Sequence, residues 1–112
     1  MDFRERFLRR TFTKTKSAGE KDFSLILYDV LSLLDKQKGK CSLTGWPMEF
    51  THGGPFKRRL NPRGCTIDRI DNAKGYHKDN IQLVCCSVNI TRSSLSLPEF
   101  TELCTAVASA QK

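Results

Sequence analysis

The feature that most constrains the fold is a stretch of about thirty residues in the second half of the chain. It opens with a β-branched run, residues 65–70, which predicts a short strand. Residues 71–75 are rich in turn formers and should reverse the chain. A second apolar run, residues 81–84, predicts another strand, and residues 85–92 continue as a helix. Strand, loop, strand and helix in this order predict an α+β unit.

Two polar residues fall near the ends of these predicted elements. Asp68 belongs to the first strand and Asn89 to the helix. An aspartate and an asparagine brought together offer two hard oxygen ligands, which suits Mg²⁺ (or Mn²⁺) completed by water and phosphate oxygens. The sequence therefore predicts a divalent-metal site that would suit phosphodiester cleavage.

The same stretch resembles the ββα-metal motif of the HNH (His-Me finger) endonucleases. It is similar to the phage-type variant that reads Asp-Arg-Ile-Asp, then Lys-Gly-Tyr, then Asn-Ile, and the resemblance covers residues 38–93. The resemblance implies that Asp68 and Asn89 are the metal ligands and that Asn80 ties the loop together by hydrogen bonds. It implies a metal-dependent DNA endonuclease, encoded by a phage or prophage, that nicks or cuts both strands.

The residue that should act as general base departs from the family pattern. The family places a His directly after the metal-binding Asp, and here that position is Arg69, which stays protonated at neutral pH. Arg69 can instead clamp the scissile phosphate. His77 in the motif loop and His52 further upstream are alternative bases, and metal-bound water without a protein base is a third. The sequence leaves these alternatives open.

The charge of the chain favours a polyanionic partner. Nineteen Lys and Arg stand against twelve Asp and Glu in 112 residues, a net charge of +7, and neutralised phosphates release condensed counterions. The alternative is that the charge only keeps a small protein in solution. Our candidate DNA-contacting residues are basic: Arg9, Arg10, Lys57, Arg58, Arg59, Arg63, Lys74 and Arg92.

Targeting signals are not recognisable in the sequence. Residues 1–10 lack the apolar core of a signal peptide, and no apolar run is long enough to span a bilayer. We therefore expect a cytoplasmic protein, in a bacterial or phage-infected cell, that binds DNA and no membrane. The sequence is compatible with a homodimer.

The five cysteines do not predict a disulfide framework in such a compartment. Zinc-bearing members of the family, similar to endonuclease VII, carry two Cys-x-x-Cys pairs. Here the matching pairs begin at Cys41 and Cys85 and have lost their second cysteines to Thr44 and Val88. Two thiolates are too few for a closed structural zinc site. We expect no structural zinc, with the cysteines acting as small buried hydrophobes.

The N-terminal residues 1–20 are predicted to form a basic arm. Phe3, Phe7 and Leu8 lie at helical spacing, which predicts a short amphipathic helix before a frayed stretch at residues 13–16. The arm can lie on DNA phosphates or be an ordinary surface helix. Residues 21–112 are predicted to form the HNH-like domain, with the ββα-metal motif at about 65–93.

The remaining elements are predicted to build the core around the motif. Apolar spacing predicts a helix over residues 23–37 with Asp22 as its N-cap, and residues 41–50 predict a small hairpin. Residues 51–64 are predicted to form a loop. Ser96 and Glu99 predict the capping box of a C-terminal helix. Its apolar face, expected to pack on the domain, comprises Phe100, Leu103, Cys104 and Val107.

Three functional classes follow from these residues. The presence of Asp68, Asn80 and Asn89 favours an active endonuclease. Arg69 at the usual position of the base leaves open a catalytically weak or inactive HNH-fold module that binds DNA. A structural or partner-binding phage protein with a basic surface is the third class.

Overall fold

In the part of the chain that the structure describes, a two-stranded hairpin lies among four helices. The computed structural model describes residues 2–52 and 60–111. Its elements are α1 (Phe3–Ser17), α2 (Leu27–Lys36), β1 (Cys65–Arg69), β2 (Ile81–Cys85), α3 (Cys86–Arg92) and α4 (Leu97–Ala110). The α+β class and the strand–strand–helix order are as predicted, with element ends shifted by about one residue. In the described part of the chain, no helix is long and apolar enough to cross a membrane.

The hairpin is the centre of the molecule. Strands β1 and β2 pair antiparallel, with Cys65 opposite Cys85 and Arg69 opposite Ile81. Every residue of β2 is buried. The outer edge of β2 is covered by Gln37, whose Oε1 accepts from the Leu83 N–H (3.0 Å) and whose Nε2 donates to the Leu83 carbonyl (2.9 Å). This side chain satisfies backbone groups that would otherwise be unpaired.

Helices α1 and α2 supply the apolar cover of the hairpin. Leu8 of α1, Val30 of α2 and Leu83 of β2 are fully buried in one cluster. Because Phe7 and Leu8 belong to this cluster, α1 packs as part of the same core. The position of α1 relative to β1 is therefore fixed by buried side chains.

Helix α1 is longer than the sequence suggested. The frayed end expected at residues 13–16 is wrong, because the helix continues to Ser17. The hydroxyls of Thr11, Thr13 and Thr15 each donate to the carbonyl four residues earlier, at 2.9–3.1 Å. These bonds satisfy the threonine hydroxyls within the helix itself.

Helix α2 is shorter than predicted and begins at Leu27. Asp22 is not its N-cap, because its carboxylate accepts the Gly75 N–H (2.8 Å) from the loop between β1 and β2. The Ser24 N–H donates to the Tyr76 carbonyl (2.9 Å) in the same way. Residues 22–24 therefore run beside this loop, since tertiary hydrogen bonds outweigh the local helix signal.

The small hairpin expected at residues 41–50 is a set of turns without regular strands. Isolated bridges join Lys40 to Pro47 and Glu49 to Gly64. The Cys41 N–H donates to the Trp46 carbonyl (2.8 Å), which closes a tight loop. The predicted strands are too short to add a ladder to the sheet.

Helix α4 begins with the predicted capping box, in which Ser96 and Glu99 cap each other. The expected packing of its apolar face is confirmed only for Phe100, which is half-buried against the core. No residue of α4 is buried, and Leu103 and Val107 are 45% and 54% exposed.

Candidate functional site

Strand β1 and helix α3 meet along two parallel side-chain pairs. Thr66 and Asp68 are two residues apart on the strand and share a face, and Asn89 and Arg92 share a face of the helix. Asn89 Nδ2 donates to Thr66 Oγ1 (3.1 Å), and Arg92 Nη1 donates to Asp68 Oδ2 (2.6 Å). The two predicted ligands, Asp68 and Asn89, thus lie on facing surfaces of adjacent elements.

Asp68 has one fixed and one open carboxylate oxygen. The residue is only 6% exposed, and its Oδ2 accepts from both Arg92 and Gln82 Nε2 (2.9 Å). None of the described residues donates to Oδ1. This orientation resembles that of a metal-binding carboxylate held by a second shell of hydrogen bonds.

Asn89 is arranged in a similar way. Its Nδ2 is used by Thr66 and by the Ile67 carbonyl (3.4 Å), so the amide oxygen faces away from both. One oxygen each from Asp68 and Asn89 fits the hard donors that Mg²⁺ or Mn²⁺ prefers. Among the described residues, no three His, Cys, Asp or Glu side chains cluster as a metal site. A cation here would therefore take most of its ligands from water and phosphate.

Asn80 organises the loop between the strands. Its Oδ1 accepts the Asp71 N–H (2.9 Å), and its Nδ2 donates to the carbonyls of Asp71 (3.1 Å) and Gly75 (2.9 Å). The side chain is 7% exposed and all its polar atoms are paired. Asn80 therefore fixes how the chain leaves β1 after Asp68.

A cleft of about 390 Å³ lies between α1 and the motif. Its walls are formed by Thr11, Lys14, Thr15, Ala18, Glu20, Thr66, Ile67, Tyr76 and Asn89. Sequence reasoning missed Lys14, Thr66 and Tyr76. Spacing offered a signal for Thr66 alone, because it lies two residues before Asp68 and shares its strand face.

Arg69 lies beside two residues of this cleft. Its guanidinium carbon is 5.2 Å from the centre of the Tyr76 ring, and its Nη1 is 3.9 Å from Glu20 Oε1. Nη1 also donates to the Lys74 carbonyl (3.4 Å). The side chain is partly exposed, so it can reach a phosphate placed at the cleft.

The two histidines lie away from Asn89. His77 has both ring nitrogens engaged, Nδ1 with Ser24 Oγ (2.6 Å) and Nε2 with Asp22 Oδ1 (2.7 Å). His52 packs on Phe7, with ring centres 4.6 Å apart. Neither imidazole lines the cleft that contains Asn89.

The candidate DNA contacts divide into three groups. The prediction that Arg92 contacts DNA is wrong. Arg92 is only 1% exposed, and it donates to Asp68 and to the carbonyls of Arg69, Ile70 and Leu95. It is a buried structural cation and not a surface contact. Exposed basic residues are Arg9, Arg10, Arg63 and Lys74, with Arg63 stacked 3.8 Å over the Trp46 ring. Lys57, Arg58 and Arg59 lie outside the described residues.

Three cysteines are buried together, whereas Cys86 is half-buried and Cys104 is exposed. Burial raises the pKa of Cys65 to about 12 and that of Cys85 to about 11. Burial also acts on Cys41, but hydrogen bonds from Thr44 and from backbone N–H groups outweigh it and lower its pKa. One of these is the Cys85 N–H, 3.4 Å from Cys41 Sγ. The absence of structural zinc stays a prediction.

Comparison with known proteins supports the fold. A solved structure of the rare-cutting HNH restriction endonuclease PacI superposes on this chain with a TM-score of 0.61. The match covers 94% of this chain and 76% of the PacI chain, at 18% sequence identity. No protein-family model and no curated protein matches the sequence. The chain therefore has an HNH-like fold, while its phage origin and cytoplasmic location stay predictions.

Proposed function

We propose that this chain is a divalent-metal-dependent DNA endonuclease. The observation that carries the proposal is the β1–α3 face. There Asp68 pairs one carboxylate oxygen and keeps the other for a ligand, and Asn89 pairs its amide nitrogen and keeps its one oxygen for a ligand. The cleft beside Asn89 provides room for a phosphodiester group. The fold shared with an HNH restriction endonuclease supports the same activity.

In this proposal each residue has a role that follows from its position in the site. A bound Mg²⁺ or Mn²⁺ supplies Lewis-acid stabilisation of the developing phosphate charge. Asp68 and Asn89 hold the cation, and Arg92 with Gln82 keeps the Asp68 carboxylate in one orientation. Arg69 clamps the scissile phosphate. We assign no base role to His77, because both of its nitrogens are engaged elsewhere.

Exposed basic residues bind the DNA backbone around this cleft. Arg9 and Arg10 of α1, together with Arg63 and Lys74, form the described part of this surface. Lys57, Arg58 and Arg59 remain candidates from sequence. A homodimer, which would cut both strands, is part of the hypothesis and is tested by the mass of the protein in solution.

Plasmid cleavage with matched variants tests the activity. The purified protein should nick or linearise supercoiled DNA with Mg²⁺ or Mn²⁺ and should be inactive in EDTA. Asp68→Asn keeps an acceptor for Arg92 but leaves its buried guanidinium without a counter-charge, so the variant is assayed at a temperature where circular dichroism shows it folded. Under those conditions it should cleave at least about a hundredfold more slowly. Asp79→Asn removes the same charge from an exposed loop position and should cleave like the parent. Full activity of Asp68→Asn, or cleavage in EDTA, would rule the proposal out.

Metal binding without DNA gives an independent measurement. Titration calorimetry with Mn²⁺ should show weaker binding to Asp68→Asn than to Asp79→Asn, because only the first variant removes a charged ligand. Equal affinities of the two variants for Mn²⁺ would show that Asp68 is not a ligand of the cation.

A DNA-binding module without catalysis is the second candidate. It is favoured by the Arg92–Asp68 pair, since a guanidinium at 2.6 Å already neutralises the carboxylate that a cation would need. The same assays separate the candidates, because a silent module shifts DNA in a gel yet never cuts it with any divalent metal.

A further inference from the structure

Helix α1 presents a continuous basic face. Residues at i, i+3, i+4, i+7 and i+8 share one side of a helix. In α1 these positions are Arg6, Arg9, Arg10, Thr13 and Lys14, and together with His52 they line a cleft of about 780 Å³. Of the described residues that line it, four are Arg or Lys and none is acidic.

Lys14 joins this basic cleft to the candidate active site. The residue lines both the cleft with Arg6, Arg9 and Arg10 and the cleft with Thr66 and Asn89. The geometry of this junction is fixed, because Leu8 on the opposite side of α1 is fully buried. Among the described residues that line the second cleft, the acidic side chain is Glu20, which lies 3.9 Å from Arg69 and is partly neutralised by it.

The chemistry of the α1 face suits a phosphate backbone. Guanidinium, ammonium and hydroxyl groups all donate hydrogen bonds to phosphate oxygens. Among the described residues that line this cleft there is no Phe, Tyr or Trp, and the imidazole of His52 packs against Phe7, so these residues favour phosphate contacts over base stacking. Residues 6–14 rise about 12 Å along the helix, which matches roughly three to four phosphates at their axial spacing in a duplex.

We propose that the basic face of α1 is the track on which one strand of duplex DNA approaches the cleft, with Lys14 contacting a phosphate next to the scissile one. The proposal rests on the proposed function because it takes the cleft with Thr66 and Asn89 to be the active site. The binding track itself requires no cleavage. The two can therefore fail separately.

Salt-dependent binding tests the track without any catalysis. Anisotropy of a fluorescent 20-base-pair duplex is measured in EDTA at several salt concentrations, with the variant Arg10→Gln/Lys14→Gln. Each lost phosphate contact should reduce the slope of log K against log salt by about 0.9, so about 1.8 for the pair. The matched control is Lys36→Gln/Lys40→Gln, which removes the same charge from exposed positions that line neither cleft.

The outcomes are distinct. The track is supported if the slope falls in the α1 variant and stays near the parental value in the control. An equal change in both variants would show a general charge effect and overturn the proposal. Tighter binding of single-stranded DNA or of RNA than of the duplex would also overturn it. A protein that binds through α1 and never cleaves would refute the nuclease and leave the track standing.

Lys14 alone is tested by the kinetics of cleavage. From rates measured over a range of DNA concentrations, Lys14→Gln should lower kcat about tenfold. Arg10→Gln should mainly raise KM, because of these two residues Lys14 is the one that lines the cleft with Asn89. Identical kinetic effects of the two substitutions would show that Lys14 does not contact a phosphate next to the scissile one.

Discussion

Arg92 Nη1 lies 2.6 Å from Asp68 Oδ2, and both side chains are almost completely buried. The same guanidinium donates to the carbonyls of Arg69 (2.7 Å), Ile70 (2.6 Å) and Leu95 (3.0 Å). One side chain therefore ties the end of β1 to the end of α3. The pair orients Asp68 and also makes the fold depend on both partners.

Loss of Arg92 should strongly destabilise the fold. Arg92→Ala leaves a buried carboxylate without its counter-charge and three carbonyls without their donor, a change that costs on the order of 3–5 kcal/mol. Urea denaturation measures this free energy, with the exposed neighbour substitution Thr91→Ala as control. Arg92→Lys should recover part of the loss, since it restores the charge but not the fork of donors. A loss below about 1 kcal/mol in Arg92→Ala would contradict this account.

Arg69 should control the rate of cleavage. If it clamps the scissile phosphate, Arg69→Ala should slow cleavage about a hundredfold or more, and Arg69→Lys should restore only part. Arg69→His introduces the family's usual base and should add a pH dependence near neutrality. Parental rates in all three variants would place Arg69 outside the site.

His77 should behave as a structural residue. Its ring connects the β1–β2 loop to Asp22 and Ser24, so His77→Ala and Asp22→Ala should lose similar stability and keep cleavage within about tenfold of the parent. Thermal unfolding and plasmid cleavage of both variants measure this. Abolished cleavage in His77→Ala, with normal cleavage in Asp22→Ala, would identify His77 as the base instead.

Gly75 should tolerate no side chain. A Cβ at this position would collide with the carbonyl oxygen and side chain of Asp22, which are held by the contact with the loop. Gly75→Ala should therefore cost about 1–3 kcal/mol and lower Tm by several degrees. Lys74→Ala, at the exposed neighbouring position, should leave Tm nearly unchanged. An unchanged Tm in Gly75→Ala would mean that the 22–24 segment is not packed on this loop.

Alkaline pH should weaken the fold through the buried thiols. In the unfolded chain a thiol titrates near 9.0, whereas burial raises the pKa of Cys65 to about 12 and of Cys85 to about 11. As pH rises above 9, the unfolded state loses these protons first, so stability falls by up to about 1.4 kcal/mol per pH unit for each thiol. Cys41, whose pKa is lowered, opposes this trend.

Urea denaturation between pH 8 and 10 measures the effect of the thiols. Cys65→Ala should give a shallower decline with pH than the parent, and the exposed-site control Cys104→Ala should follow the parent. Identical pH dependence in all three proteins would contradict the role of burial.

The sequence determined the ββα order and the elements that depend on local signals. The β-branched run before the turn, the apolar run after it and the Ser96–Glu99 capping box each act within a few residues. Such signals do not require knowledge of distant partners. For the same reason, the order of the elements was enough to place Asp68 on the strand and Asn89 on the helix that follows the hairpin.

Only the tertiary structure decided the rest of the site. Asp22 has the local chemistry of a helix cap. Its carboxylate nevertheless accepts the Gly75 N–H and contacts His77, both more than fifty residues away. Arg92 has the composition of a DNA contact, but the position of α3 buries it against Asp68. Lys14 enters the cleft because Leu8 anchors α1 on the hairpin. Each of these outcomes depends on long-range packing and charge pairing, whose energies exceed the local preferences that a sequence displays.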